Sequence, residues 1–295
     1  MPSYSDSSNI VVTGATGMFG GAVLGALLSQ GLHPRAVTRS ESRAQVLARQ
    51  GAVPVVADLA CPESLGESLK GAEKAFLVSP MQPDLNLLEK NFIDHCKRAG
   101  VRHIVKLFGC VDHGDDPLVR LHLDAIDHLK KSGMEWTLVS PNTVMDSNFF
   151  PHASTIKEES CFYASAGQGR CGFVSCLDCA EVAAHVLTTD GHHGKDYQVT
   201  GPEAASLADA AQALSEVLGH TIEYVDLPEK EMLEILCSAG MTPEEAEMQV
   251  LCHYRLFKEG KATLVTDVVR ELLGRPATSL KEFFERNRDA FESGS

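Results

Sequence analysis

The 295-residue sequence contains no uninterrupted apolar stretch approaching the roughly 20 residues that a membrane-spanning helix requires. No basic start followed by an apolar run precedes Ile10, so no secretory signal is expected. Basic residues are in deficit, with 26 Lys and Arg against 40 Asp and Glu, a formal net charge of -14. A field of that sign repels phosphate backbones and anionic lipid, which argues against direct binding to nucleic acid or a membrane surface. Any DNA-linked role would act through a protein partner. Nine cysteines, an odd number scattered along the chain, do not form a disulfide framework and predict reduced thiols in a cytoplasmic protein. There is no internal repeat and no low-complexity linker. The 44% apolar composition supports a large core without metal or disulfide staples.

What the chain does have is a regular alternation of short apolar runs and amphipathic stretches. Strands are predicted at residues 9–12, 34–37, 53–56, 75–78, 103–107 and 136–139, and helices at 22–30, 62–69, 85–99 and 119–131, with a further helix ending at Arg49. Parallel neighbours need crossovers, so this rhythm predicts an α/β Rossmann fold, a doubly wound parallel sheet with helices on both faces. Beyond the sixth strand the rhythm changes. Residues 149–172 are expected to form a loop-rich wall over the strand ends, and Phe149, Phe150, Phe162, Tyr163 and Phe173 form either an aromatic wall for an apolar substrate or ordinary core. A helix over 178–187 capped by Asp178, strands at 197–200 and 222–225, and helices at 207–218, 229–239, 243–257 and 279–288 follow. The expected organisation is a Rossmann core over 1–145 and a smaller, mostly helical substrate-binding part over 146–295, packed on the same sheet.

The densest chemical signal is the bend after the first strand, Thr13-Gly14-Ala15-Thr16-Gly17-Met18-Phe19-Gly20. Between a strand and a helix the three glycines act differently. Gly14 permits the tight turn, Gly17 lets backbone amides approach a pyrophosphate, and Gly20 lets helix and strand pack closely. At the end of the second strand, a carboxylate would accept from a ribose 2′-hydroxyl and repel a 2′-phosphate. The chain has Arg39 there, with Arg43 one helical turn later, which favours NADP over NAD. Asp58 and Leu59 follow the third strand, where adenine would lie, although Asp58 equally suits a cap. Val78, Ser79 and Pro80 follow the fourth, beside the adenosine ribose. Thr13, Thr16, Met18, Phe19, Lys106, Pro141 and Asn142 complete the expected cofactor contacts.

Several segments together resemble the NmrA-like branch of the atypical short-chain dehydrogenases. They are Val12-Thr13-Gly14-Ala15-Thr16-Gly17-Met18-Phe19-Gly20, His103-Ile104-Val105-Lys106-Leu107, the stretch from His122 through Ser132-Gly133-Met134-Glu135-Trp136-Thr137-Leu138, Ser140-Pro141-Asn142, Asp178-Cys179-Ala180-Glu181 and Tyr197-Gln198-Val199-Thr200-Gly201-Pro202. The resemblance covers nearly the whole chain. It implies a family that includes NADP-dependent quinone and triphenylmethane reductases, fungal tailoring reductases of secondary metabolism, and sensors that bind the cofactor without turning it over. The chain departs from classical short-chain dehydrogenases at their Tyr-x-x-x-Lys pair: Leu118 stands where the tyrosine would be and His122 where the lysine would be. Phe108 and Gly109 occupy the region of the usual serine.

Two residues remain as candidates for catalysis. His122 would hold the nicotinamide ribose or donate a proton, or else fill a helix face. Lys106, near the end of the fifth strand, needs a partner if buried; it would face the pyrophosphate or reach solvent. Cys110, Asn142, Thr143, Phe149, Phe162 and Tyr163 are the expected contacts of a small apolar or aromatic substrate. The reading is an NADPH-dependent reductase of a hydrophobic carbonyl, quinone or enone, acting as a monomer or homodimer. The alternatives are an NADP sensor working through a protein partner and a non-redox tailoring enzyme. No metal is expected: Cys176 and Cys179 lack a second cysteine pair, and His192 and His193 lack a third ligand. Glu244, Glu245 and Glu247 are expected on a solvated helix face.

Overall fold

Three consecutive buried residues, Ile10, Val11 and Val12, follow Asn9 with no polar alternation, as a strand covered on both faces requires. In the computed structural model, which describes residues 9–111 and 117–292, they form β1 (Ile10–Val12). β1 is followed by β2 (Arg35–Thr38), β3 (Val53–Val56), β4 (Lys74–Leu77), β5 (His103–Leu107) and β6 (Glu135–Pro141). With the strand Lys195–Val199 these make a seven-stranded sheet in the order β3-β2-β1-β4-β5-β6-(Lys195–Val199). β1 through β6 pair in parallel throughout. The order reverses between β1 and β4, and open sheets of this kind take their ligands at the carboxyl ends of strands beside such a reversal.

The intervening helices are α1 (Met18–Ser29), α2 (Glu41–Arg49), α3 (Gly66–Leu69, entered through the 3-10 turn Pro62–Leu65), α4 (Leu85–Ala99) and α5 (Pro117–Lys131). α4 buries Leu85, Leu88, Glu89, Phe92, Ile93 and Cys96, an i, i+3, i+4 stripe that is apolar except at Glu89. Phe92, Ile93 and Cys96 share a core with Val11, Val37, Ala75, Leu77, Ile104 and Leu129. Among the described residues no helix is long and apolar enough to cross a membrane.

The chain divides into two compact units, and the division is not a single cut near residue 145. The first unit comprises Met1–Gly109, Gly114–Ser140 and Cys176–Gln198. Its late segment returns because the helix Cys176–Thr188 packs on α1 and Lys195–Val199 extends the sheet. That helix starts two residues before the expected position, so Asp178 lies buried inside its first turn instead of capping it.

The second unit comprises Cys110–His113, Pro141–Ser175 and Val199–Ser295. Here the loop-rich wall is corrected: residues 145–164 form the helices Met145–Phe149 and Ala153–Glu159 and the strand Cys161–Ala164, which pairs in parallel with Glu223–Asp226. Segments of four to seven residues are too short to display a period. Phe149, Phe162 and Phe173 take the core alternative. Phe149 packs 5.4 Å from Phe173 and 5.0 Å from Phe284 between ring centroids, and 6.2 Å from Phe162. Leu207–Leu218 begins with a capping box of Ser206 and Asp209. The helix expected over 243–257 is divided into Pro243–Ala246, a π-turn Glu247–Leu251 and Cys252–Lys258. Glu245 caps its start with Thr242, while Glu247 pairs with Arg255.

At the amino ends of β5 and β6, polar groups are buried in a fixed order. Thr137 Oγ1 donates to the His192 carbonyl at 2.7 Å, so it accepts from His103 Nε2 at 2.8 Å. His192 in turn bonds Tyr197 Oη and Thr189 Oγ1, both at 2.7 Å. Burial, reinforced by Lys74 and Arg102, lowers the His103 pKa to about 4, and burial and His185 lower that of His192. Each therefore takes up its proton at lower pH in the folded than in the unfolded chain, where protons bind below about 6.5, so acid favours unfolding. Stability is expected to fall as pH drops from 6.5 to 4, His103 contributing on the order of 3 kcal/mol of the loss. Chemical denaturation across this range should show a His103→Gln variant losing less stability than the parent; equal losses would contradict the assignment.

Candidate functional site

Thr13 closes β1 by bonding across to β4: its backbone N–H donates to Phe76 O at 3.1 Å, its hydroxyl donates to Val78 O at 2.8 Å and accepts from Val78 N at 2.9 Å. Thr13 is fully buried, so its hydroxyl shapes the bend and is not presented to a ligand. Gly14 then turns at φ +59°, where a Cβ would stand 2.7 Å from Val78 Cγ1. At Gly20 a Cβ would meet the Gly14 carbonyl oxygen at 2.2 Å and the Thr13 oxygen at 2.6 Å. That contact shows how closely α1 crosses the strand.

Gly17 caps α1 without a side chain, and the first bond carried into the helix runs from Gly21 N to Gly17 O. The amides of Met18, Phe19 and Gly20 precede it, and Gly14, Thr16, Gly17 and Met18 are exposed. An open helix start whose first amides have no partner among the described residues, with no acidic residue in its first turn, is a cradle for an anion. The geometry fits a dinucleotide pyrophosphate.

Cationic groups flank this cradle at the end of β2. Arg39 is exposed and makes no hydrogen bond or ion pair with a described residue. Arg43 reaches back to Thr16 Oγ1 at 3.3 Å, so one guanidinium is tied to the glycine bend and the other is free. Ser40 and Ser42 join their hydroxyls at 2.7 Å beside them, and Ser40 caps α2. Asp58 closes a local turn, its Oδ1 accepting from Ala60 N at 3.0 Å, and the cap position of the following 3-10 turn falls to Cys61; Leu59 packs on the core. Val78 and Ser79 are half-buried and Pro80 is exposed.

Beneath the ends of β4 and β5 lies a charged constellation that sequence reasoning half anticipated. Lys106 is fully buried, and its partner is Glu89 of α4, also fully buried. Nζ stands 2.7 Å from Oε1 and 2.6 Å from Oε2, and Ser79 Oγ donates to Oε1 at 2.9 Å. Oε2 receives no well-directed hydrogen bond among the described residues; its contact is the ion pair alone. Nζ also approaches Leu107 O and His122 Nδ1, each at 3.3 Å. His122 stacks edge-on with Phe108 and turns Nε2 toward Met81 Sδ at 3.5 Å. Burial lowers the Lys106 pKa and the Glu89 carboxylate opposes that fall. Burial and the Lys106 charge lower the His122 pKa to about 3. Glu89 was not among the expected residues, although a lone carboxylate in the apolar stripe of α4 is the signal that identifies it.

The remaining expected residues serve the second unit. Cys110 N donates to Pro141 O at 3.0 Å. Asn142 gives both amide protons to Ala262 O and Leu264 O, at 3.0 and 3.1 Å, and its oxygen accepts from Thr143 N and Thr143 Oγ1. Asn142 and Thr143 thus clamp a loop, and the Asn142 amide has no hydrogen-bonding capacity left for a ligand. Tyr163 donates its hydroxyl to Glu159 at 2.6 Å, whereas Phe149 and Phe162 lie inside the core.

A parallel sheet with this strand order, a glycine bend open at a helix start and arginines at the end of β2 define a Rossmann protein built for a dinucleotide. More narrowly, the chain belongs to the NmrA-like family, whose model matches residues 6–284. It is 33% identical to an NAD(P)H azoreductase of Xenophilus azovorans over 96% of this chain and 99% of that protein. It superposes on the NADPH complex of an Escherichia coli NADPH-dependent quinone oxidoreductase with a TM-score of 0.84 and 28% identity, covering 95% of this chain and 99% of the other. A triphenylmethane reductase of Citrobacter sp. complexed with NADP(H) gives 0.83 and 27%, covering 94% and 99%.

Proposed function

We propose that the protein is an NADPH-dependent reductase of small, hydrophobic, conjugated acceptors, with quinones as the preferred class. The observation that carries this reading is the open glycine bend with two arginines at the end of β2. The azoreductase and quinone oxidoreductase names of its relatives support oxidoreduction with NADP as the cofactor.

When bound, NADPH supplies a hydride from its nicotinamide ring. The chain's own residues hold and screen. The amides of Met18, Phe19 and Gly20 receive the pyrophosphate, and Arg39 and Arg43 receive the 2′-phosphate, where planar guanidinium donors match phosphate oxygens. On the resemblance, Leu118 takes the place of the usual proton-donor tyrosine; its side chain is buried. A quinone tolerates that loss because its conjugated ring stabilises the product anion. Reduction consumes one hydride and one proton per quinone, and the proton comes from solvent once the hydroquinone anion has formed.

Anaerobic single-turnover mixing of the NADPH-loaded protein with quinones, azo dyes and aromatic ketones tests the proposal. Stoichiometric loss of reduced-cofactor absorbance is expected with at least one quinone. If NADPH binds tightly and no acceptor oxidises it, the reductase reading fails and a cofactor sensor takes its place.

A further inference from the structure

The buried Lys106 has three ammonium protons and three acceptors around it: the Glu89 carboxylate, the Leu107 carbonyl and His122 Nδ1. An ammonium has no acceptor site of its own, so Nδ1 must carry a lone pair here, not a proton. The ring's proton then resides on Nε2, the atom on the side of Met81 at the carboxyl ends of β4 and β5. Among the described residues the charged groups around the imidazole are Lys106 of β5 and Glu89 of α4; on the outer faces of α4 and α5, Lys90 and Asp124 pair with each other.

We propose that Glu89 is a positioning residue: by keeping Lys106 charged and aimed, it locks His122 as a neutral imidazole with an Nε2 proton, a fixed hydrogen-bond donor to the substrate's reducible group. This rests on the reductase reading of the same site. A doubly protonated imidazole would lose its bond from Lys106 and face a like charge 3.3 Å away in a dry setting. His122 is therefore unsuited to shuttle protons. Its service is to polarise a carbonyl or quinone oxygen as negative charge develops there, a role a preorganised neutral donor performs without reorganisation. Ser79, donating to Glu89 Oε1, holds the carboxylate from the β4 side.

Long-range proton–nitrogen spectra of the full-length, histidine-labelled protein without cofactor read the tautomer directly, and His122→Gln assigns the signal. The expected result is a bare Nδ1 and a protonated Nε2 that do not titrate between pH 5 and 9. Protonated Nδ1 at neutral pH, or a midpoint near the ordinary histidine value, overturns the proposal and needs no variant to fold. In Lys106→Met, Glu89 remains 3.9 Å from Nδ1, and the ring is expected to protonate there with its midpoint raised into the observed range. Once a reducible acceptor is known, Glu89→Gln should lower kcat at least tenfold and introduce a pH dependence, with NADPH affinity changed less than twofold. A flat, undiminished profile for Glu89→Gln would contradict the positioning role. His122→Leu should cost about a hundredfold in kcat, the loss typical of one oxyanion donor, and His122→Gln should recover part of it. If the tautomer is as stated but no acceptor is reduced, the reductase reading fails by itself.

Discussion

Gly20→Ala is expected to raise the Kd for NADPH on the order of a hundredfold, equivalent to about 2.7 kcal/mol. The added methyl would sit 2.2 Å from the Gly14 oxygen, 2.4 Å from the Gly14 carbonyl carbon and 2.6 Å from the Thr13 oxygen. All three are backbone atoms, so no side chain can rotate away. Thr13 is itself fastened to Val78 at both hydroxyl lone pair and proton, which prevents the strand end from yielding. α1 must move outward instead, carrying the amides of Met18 and Phe19 off the phosphate position. Overpacking of this kind costs about 1–3 kcal/mol of stability, enough to lower Tm by several degrees while leaving a folded protein. Gly25→Ala is the matched control, because nothing lies within 4 Å of a Cβ there. Calorimetric titration of both variants should show lost affinity only in the first; wild-type affinity in Gly20→Ala would remove the bend from the binding site.

The second large effect concerns cofactor choice. Arg39→Asp is expected to shift the NADPH-to-NADH preference by on the order of a thousandfold, because it removes a charge-assisted contact and places a carboxylate where the 2′-phosphate would lie. NADH should gain, since the new carboxylate can accept from its ribose hydroxyl. Arg43→Ala should weaken NADPH less, as that guanidinium is already shared with Thr16. Competitive displacement of NADPH by NADH reports both constants in one series, and an unchanged preference in Arg39→Asp would reassign specificity elsewhere.

Both effects arise from features legible in residue order alone. β5 and α4 begin and end at the expected residues because each pairs an unambiguous period with a strong stop, Gly100 with φ +82° ending the helix. The glycine bend was legible for the same reason: three glycines between a strand and a helix leave few conformations. In the second unit the elements are short, and their hydrophobicity comes from aromatic residues that pack across sequence distance, so Phe149 finds Phe284 without leaving a local pattern. The return of Cys176–Gln198 to the first unit was likewise invisible, because it depends on which helix face α1 offers. A buried Lys106 needs a partner, but only the fold brings Glu89 to it from 17 residues away. Asn142 shows the converse limit. A polar residue after a strand end can serve a ligand or the backbone, and two carbonyls 120 and 122 residues later claimed it.

That a dinucleotide's phosphates rest on the amides at the start of α1 can be read from the amide spectrum of the isotope-labelled protein titrated with NADPH. The amide signals of Met18, Phe19 and Gly20 are predicted to move together and saturate with the calorimetric Kd, while those at the opposite end of α1, near Ser29, stay in place. Saturating NADPH that leaves the three signals unmoved would put the phosphates elsewhere and remove the basis for a cofactor site at this bend.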